Sequence, residues 1–571
     1  MKNDGNFNHL TQSGISFENL IHNKKKLRIG ILLDDYRLEA WAYKILEIIN
    51  YSDYASIELI ILKSNSNNKS LFHDIVRKRK NLFFIAYTHL ENRIFRPVPD
   101  ALDLRDAKKI LENVPVITLQ QKIHKNCDWI ADEDITTIKK FDLDVILQIG
   151  FQRIKRDILN AAKYGVWSYL HYGNTSLRGS PPGFWETFER MGERGAILQM
   201  STEEPDNGII LYQSFFPCDS LSVKKNNNGC YWKSSLFVPR ILKKLFNEGE
   251  NYFLEVINNK NNKLTFTNEI LYGTPKNLKF IKMFIKHSCR MANDFVFFLF
   301  FQRQWMLMYE FYDRIPTSFW YFKKIIPSRD RFWADPHVFF KDNKYYIFIE
   351  EYIYKKKKAH ISVIEMDQSG KYSDPVKVLE EPFHLSYPHV FKHNETVFMI
   401  PETSQSKSIN LYECTNFPNN WKHRATLIDS VEAVDSTILF YKNKWWLFTT
   451  IAEPEGSSKN ELFVFYSDNL WSQNWTSHPK NPVISDIKRA RSAGKIFEHE
   501  GKIYRPSQCG SPYYAYGVKL NEILVLTENE YLEKEITFIE PNWDKKLNGI
   551  HTFCHQNRLT LIDGDCYKFV I

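Results

Sequence analysis

Ala334-Asp335-Pro336-His337-Val338-Phe339-Phe340, a Lys341-Asp342-Asn343-Lys344 turn, then Tyr345-Tyr346-Ile347-Phe348-Ile349: this stretch decides the fold, because the rest of the C-terminal half restates it. The second copy is Ser386-Tyr387-Pro388-His389-Val390-Phe391, a turn at His393-Asn394, and Val397-Phe398-Met399-Ile400. The third runs from Val434-Asp435-Ser436-Thr437-Ile438-Leu439-Phe440 over Lys442-Asn443 to Trp445-Trp446-Leu447-Phe448. The fourth pairs Arg491-Ser492-Ala493-Gly494-Lys495-Ile496-Phe497 with Ile503-Tyr504-Arg505-Pro506 across Glu500-Gly501. A fainter fifth pairs Gly549-Ile550-His551-Thr552-Phe553 with Leu559-Thr560-Leu561-Ile562. Aromatic and β-branched runs broken by Asn, Asp or Gly turns are strand hairpins. Hairpins recurring about every 50 residues, with about four strands each, are the blades of a propeller. Residues 326–571 are therefore read as an all-β five-bladed propeller. The first strand of each blade lines the central channel. That brings Asp335, Tyr387, Asp435, Arg491 and His551 to one mouth, with Glu350, Glu351, Glu402 and Arg505 following the second strands. Asp335, Glu351, Glu402, Asp435, Arg491, Arg505 and His551 are the candidate sugar-binding residues of that mouth.

Upstream the texture is different. Residues 27–33 (Leu-Arg-Ile-Gly-Ile-Leu-Leu) form a short apolar run ending at Asp34-Asp35, residues 38–49 have helical spacing, and residues 57–62 are apolar again. Continuous apolar runs of this length are strands buried on both faces, and β-α-β order predicts a doubly wound parallel sheet. Residues 143–149 and Gly165-Val166-Trp167-Ser168-Tyr169 supply further strands. No Gly-x-Gly-x-x-Gly follows the first strand, so a dinucleotide fingerprint is absent. Ligands of such sheets sit at the carboxyl ends of the strands, which directs attention to the loop after Tyr169. The expected division is a disordered tail over 1–26, an α/β domain over 27–225, a mostly helical connector over 226–325 and the propeller from 326.

Composition bounds the function. The chain has 571 residues, too many for one ordinary core. Its formal net charge of +9 includes the runs Lys24-Lys25-Lys26 and Lys355-Lys356-Lys357-Lys358, read as solvated faces. No nucleic-acid module accompanies that charge, so phosphate-bearing small molecules or an anionic membrane surface are the better partners. Eight cysteines show no Cys-x-x-Cys spacing, which reads as reduced thiols in the cytoplasm and no metal site. The longest apolar burst, residues 295–301 (Phe-Val-Phe-Phe-Leu-Phe-Phe), is far shorter than the roughly 20 residues of a spanning helix. It is read as a helix buried between domains, with peripheral membrane contact as the other reading.

Two resemblances rest on these residues. Trp333-Ala334-Asp335-Pro336, Pro401-Glu402-Thr403-Ser404, Trp445-Trp446-Leu447-Phe448, His478-Pro479-Lys480-Asn481-Pro482 and Tyr504-Arg505-Pro506-Ser507-Gln508 resemble the N-terminal domain of glucosamine inositolphosphorylceramide transferases. More broadly this half is similar to the five-bladed glycoside hydrolases of furanose and pentose sugars. Glycoside cleavage requires two opposed carboxyl groups, for which Asp335 and Asp435 are the candidates. Tyr387 stands where those hydrolases place an acid, and this favours a sugar-binding cup. Upstream, Tyr164-Gly165-Val166-Trp167-Ser168-Tyr169-Leu170-His171, Leu177-Arg178-Gly179-Ser180-Pro181-Pro182 and Glu204-Pro205-Asp206-Asn207-Gly208 resemble the formyltransferases. That resemblance implies a 10-formyltetrahydrofolate donor, His171 as general base, Asp206 as its orienting carboxylate, and Asn174 or Ser168 as oxyanion donor. The expected function is formyl transfer to an amino sugar or sugar nucleotide in surface-glycan biosynthesis. The alternatives are glycosyl transfer or glycoside processing at the propeller, and non-catalytic carbohydrate binding over a degenerate formyltransferase site.

Overall fold

The computed structural model describes residues 24–64, 79–119, 122–124, 127–151, 153–154, 156–171, 178–179, 181–204, 208–259, 262, 271–316, 318–452 and 460–570. The tail over residues 1–23 lies outside them. The chain divides into two compact units, Ile15–Arg290 and a second that includes Met291–Ile571.

The first unit is built on a seven-stranded sheet. From edge to edge it runs Ile209–Pro217, Glu193–Met200, Val166–Leu170, Val145–Gln148, Leu27–Leu33, Ala55–Lys63 and Val116–Leu119. The last five strands are parallel and the first two join antiparallel, so the sheet is mixed where an all-parallel one was expected. Both faces are covered. Ile29, Ile31, Leu33, Val145, Leu147 and Trp167 point to one core, and Leu32, Ile61, Ile146 and Val166 to the other. Two-sided burial is why these strands read as unbroken apolar runs.

The expected connector is not a separate element. Helices Val223–Ser234, Phe237–Glu248 and Glu250–Asn258 bury Trp232, Phe237, Ile241, Leu245 and Phe253 in the core of this first unit. Residues after Met291 belong to the second unit.

The second unit contains five sheets of at least four strands each, and among the described residues these are five blades. Blade 1 is Arg331–Lys341, Lys344–Ile353, Lys358–Met366 and Val376–Leu379. Blade 2 is Ser386–His393, Thr396–Glu402, Ser408–Asn416 and Asn420–Asp429. Blade 3 is Ala433–Tyr441, Lys444–Ile451, Glu461–Ser467 and Thr476–Ser477, with Ile484–Ser485 added to its third strand. Blade 4 is Phe497–His499, Lys502–Cys509, Gly517–Leu526 and Tyr531–Ile539. Blade 5 is composite: Phe553–Gln556 and Leu559–Phe569 from the C-terminal end pair with Phe301–Phe311 and Lys323–Ile325 from before blade 1. The propeller thus begins earlier than residue 326. Closing the ring with one blade shared by both ends leaves no large open sheet edge.

The inner strands of blades 1–3 share one irregularity. Pairing slips between Ala334 and His337, between Ser386 and His389, and between Val434 and Thr437. Two residues there oppose one on the partner strand, and the first of the two is Asp335, Tyr387 or Asp435, with φ of 49°, 45° and 50°. A left-handed non-glycine residue costs about 1–2 kcal/mol, and a bulge re-aims the side chain it carries. In blades 1 and 2 a proline follows, and its missing N–H costs nothing where the ladder is already broken.

Tyr387 closes the axis. Its hydroxyl lies 2.9 Å from Thr437 Oγ1 of blade 3, donates to the Gly494 carbonyl (3.0 Å) and accepts from the Gly494 N–H (2.8 Å). Gly494 has φ of 129°, and a Cβ there would stand 2.2 Å from the Phe553 carbonyl oxygen. Gly494→Ala should destabilise the protein by about 3 kcal/mol, read by denaturant unfolding of the full chain. A loss under about 1 kcal/mol would mean the axis is loosely packed there.

Candidate functional site

Above the Tyr387 plug the bulges and strand ends build a cup of charged groups. Asp335 is buried, and its two oxygens accept from the Tyr387 N–H (3.2 Å) and the Thr552 hydroxyl (3.0 Å). His551 lies between two carboxylates, with Nε2 3.1 Å from Asp335 and Nδ1 2.7 Å from Asp563. Asp563 also accepts the backbone N–H groups of Asp335, His551 and Thr552. Across the cup, Arg491 grips Asp435 through Nε and Nη2. The amide of Gln508 donates to Asp435 (2.9 Å), and Glu402 lies 3.8 Å from Arg491 Nη2. Glu350 pairs with His384 at 3.2 Å. Aromatic walls complete it: the Trp305 ring lies 4.1 Å from that of His551, and Arg491 lies 5.5 Å from the Tyr514 ring.

These surroundings pull the carboxyl groups apart in proton affinity. Burial alone would raise Asp335, but the charge and hydrogen bond of His551, aided by Arg491, hold it below the usual carboxylate range. His551 gains correspondingly: burial opposes its charge, yet Asp563 and Asp335 keep it protonated well above its ordinary value. Glu350 is pushed up to about 7 by burial, with the Asp335 charge adding and His384 opposing. Glu402 is raised well above the usual range by burial first and by the neighbouring Asp435 charge second. Clustered carboxyl groups with separated proton affinities are the pattern of acid–base sites. Asp335, His551 and Asp563 also lie close enough to share a cation, each offering one ligand atom. A protonated His551 already stands between the two carboxylates and offsets one of their two negative charges.

Five of the seven mouth residues read from the sequence meet in this cup: Asp335, Glu402, Asp435, Arg491 and His551. Two do not. Glu351 is turned into blade 1, where it accepts from Arg331 (2.8 Å), Trp333 Nε1 (3.2 Å) and Ser362 (2.7 Å) and lies 3.1 Å from His360. Arg505 is wholly buried in blade 4, paired through Nε and Nη2 at 2.8 Å with both oxygens of Glu533. Strand alternation explains both corrections. Glu350 and Glu351 face opposite sides of one strand, as do Gln508 and Arg505 of another. Gln508, His384, Tyr514 and Asp563 are the contributors that sequence reading missed; Glu350 was placed beside the mouth but not among its seven candidate binding residues. Glu350 was visible beside Glu351, but only the strand's phase separates them.

The formyltransferase-like constellation is not assembled among the described residues. Asn174 and Asp206 lie outside them. His171 stands at the end of strand Val166–Leu170, stacked on Tyr169 (5.5 Å) and flanked by Trp41 and Tyr231. Its Nε2 lies 3.1 Å from Ser234 Oγ, which donates to the Cys230 carbonyl. Burial, then the nearby Arg194 charge, pulls His171 down to about 3. Ser168 belongs to the other face of the strand, 2.9 Å from Ser201 Oγ and accepting from Gln199. Serine and histidine therefore do not converge: they are three positions apart, and an odd offset along extended chain sends side chains to opposite faces.

Comparison with known proteins shows what the propeller half is similar to. Residues 323–560 match the family described as "Glucosamine inositolphosphorylceramide transferase 1, N-terminal". The curated protein "Glucosamine inositolphosphorylceramide transferase 1" of Oryza sativa subsp. japonica is 35% identical over 206 residues, covering 35% of this chain and 27% of the relative. The chain thus matches little more than a quarter of that relative's length. Among solved structures, a family 117 glycoside hydrolase of Zobellia galactanivorans aligns at 10% identity and a TM-score of 0.32, over 46% of this chain and 90% of its own. Glycinamide ribonucleotide transformylase 1 of Symbiobacterium toebii aligns at 13% identity and a TM-score of 0.26, over 39% and 89%. The propeller of this chain, over residues 323–560, is similar to the N-terminal domain of glucosamine inositolphosphorylceramide transferase 1.

Proposed function

We propose that this protein is a glycosyl-processing enzyme, most simply a transferase of an amino sugar, and that its chemistry takes place in the propeller cup. The observation that carries this reading is the set of buried carboxyl groups in one cup with separated proton affinities, two of its residues, Asp335 and Asp435, held on strained bulges. The name of the rice relative favours transfer over hydrolysis and an amino sugar as the transferred group. In this reading Glu402, protonated, gives its proton to the oxygen that leaves the anomeric carbon. Glu350, titrating near 7, takes the proton of the incoming hydroxyl as the new C–O bond forms. Arg491 and Tyr514 hold the sugar ring, and Asp335 stays ionised opposite the developing positive charge. Formyl transfer from 10-formyltetrahydrofolate is the competing reading, and among the described residues it has His171 and Ser168, which do not converge.

The test is a parallel assay of the full chain. Release of nucleotide from uridine diphosphate N-acetylglucosamine, and of aglycone from aryl glycosides, is compared with formyl release from 10-formyltetrahydrofolate. Glycosyl turnover without formyl release supports the cup, and the opposite result overturns it. Turnover should rise with pH through about 7 as Glu350 becomes the base, and fall again where Glu402 loses its proton. Glu350→Gln should abolish the rising limb.

A further inference from the structure

The apolar burst at residues 295–301 is not buried. It ends the helix Asn277–Phe300, and Phe295, Val296, Phe297, Phe298, Leu299 and Phe300 are all exposed, Phe295 by 67% and Phe298 by 59%. Strand Phe301–Phe311 follows directly, with Phe301 opposite Phe569 and the Val570 N–H donating to the Phe300 carbonyl (2.8 Å). Phe300 and Phe569 stack with centroids 6.1 Å apart, and Phe569 and Val570 are exposed as well. The register fixes the side of the propeller on which this tip stands. Trp305 lies opposite Asp565, just past the cup residue Asp563. Phe569 is four residues further out, about 13 Å at about 3.4 Å per residue. The aromatic tip therefore projects on the mouth side.

A cationic patch adjoins it. Strand Lys344–Ile353 passes the cup at Glu350, and the turn that follows carries the exposed Lys355, Lys356 and Lys357. Tyr354 of that turn donates its hydroxyl to the Arg303 carbonyl at the base of the tip (2.9 Å). The Lys568 ammonium sits 4.9 Å over the Tyr354 ring and donates to the Arg329 carbonyl. On this rim the exposed Asp330 is taken up by Arg331 at 2.9 Å.

We propose that this mouth-side rim docks on an anionic lipid bilayer, so that the cup opens towards the headgroup layer. Six consecutive exposed apolar residues, four of them phenylalanine, are an unusual surface for a water-facing protein. Phenylalanine and leucine beside a run of lysines is the composition of segments that insert at the bilayer interface without crossing it. None of the described helices is long and apolar enough to cross a membrane. The lysines select the occupant, because each basic residue near an anionic surface strengthens binding about fivefold. This docking does not depend on the glycosyl chemistry proposed above.

The experiment is co-sedimentation of the full chain with phosphatidylcholine vesicles, with and without phosphatidylserine. The wild type should pellet with the anionic vesicles, less so as salt rises. Phe298→Asp with Leu299→Asp should weaken binding at least tenfold. Replacing Lys355, Lys356 and Lys357 with alanine should weaken it on the order of a hundredfold, and only for anionic vesicles. All five side chains are exposed, so thermal unfolding should not change. Failure to pellet, or pelleting that neither variant reduces, would overturn the proposal. So would a dimer in solution that Phe298→Asp splits while vesicle binding is absent, since a second copy would then cover the tip.

Discussion

Replacing His551 with glutamine should destabilise the protein by about 3–5 kcal/mol, a fall in melting temperature of about 10 °C for a unit of this size. The reason is the company His551 keeps. It is buried with Asp335 and Asp563 on its two nitrogens, and it supplies the positive charge that both carboxylates face. Glutamine can donate to one of them and carries no charge. Breaking one partner out of a buried ionic cluster costs far more than the cluster contributes, because the remaining charges stay desolvated. The pH dependence has a definite sign. The folded pKa of His551 is raised, so its contribution is fully present below about 6.5 and is lost as pH rises through the folded value. The gap between wild type and variant should therefore narrow in the alkaline range, followed by chemical denaturation at several pH values. A variant within about 1 kcal/mol of wild type at neutral pH would show that His551 does not supply the positive charge that Asp335 and Asp563 face.

Glu402→Gln should do the opposite, leaving stability nearly unchanged and lowering glycosyl turnover by about 10²–10⁴-fold. Burial and the Asp435 charge already keep Glu402 protonated, so glutamine replaces it with another neutral group of the same shape. Its Oε2 has no hydrogen-bond partner among the described residues, so little is lost structurally. What disappears is the proton that leaves with the departing oxygen. Binding of the donor should survive, so the loss should fall on kcat rather than KM. Unchanged turnover with intact binding would remove Glu402 from the reaction.

The two variants also mark what could be read from the chain alone. The five hairpins were legible because turn residues recur at a fixed period between aromatic strands. The fifth blade's outer half was not. Phe301–Phe311 follows six apolar residues without a break, so the change from helix to strand has no punctuation in the sequence. The cup was legible to the level of strand ends and failed at the level of side-chain phase. Strands Lys344–Ile353 and Lys502–Cys509 alternate regularly, and both phases carry polar residues near the mouth, so residue type does not tell which neighbour faces the axis. That is how Glu351 stood in for Glu350, and how Arg505 was taken where Gln508 reaches Asp435. In the first unit the buried strands declared themselves; helix Val223–Ser234 fell where a mostly helical connector was read, but its polar sequence, with Asn226 and Lys233 among the buried residues, did not show that it packs into this unit's core. The formyltransferase reading rested on residue types around one loop. Alternation places Ser168 and His171 on opposite faces of their strand.

Whether the propeller cup takes a sugar is decided by a crystal structure of the full chain soaked with glucosamine or N-acetylglucosamine. Density for one sugar ring is expected in the propeller cup, against Tyr514, with hydroxyls in hydrogen-bond reach of Glu402, Glu350 and Arg491. Density confined to the α/β unit beside His171, with the cup empty, would contradict this expectation.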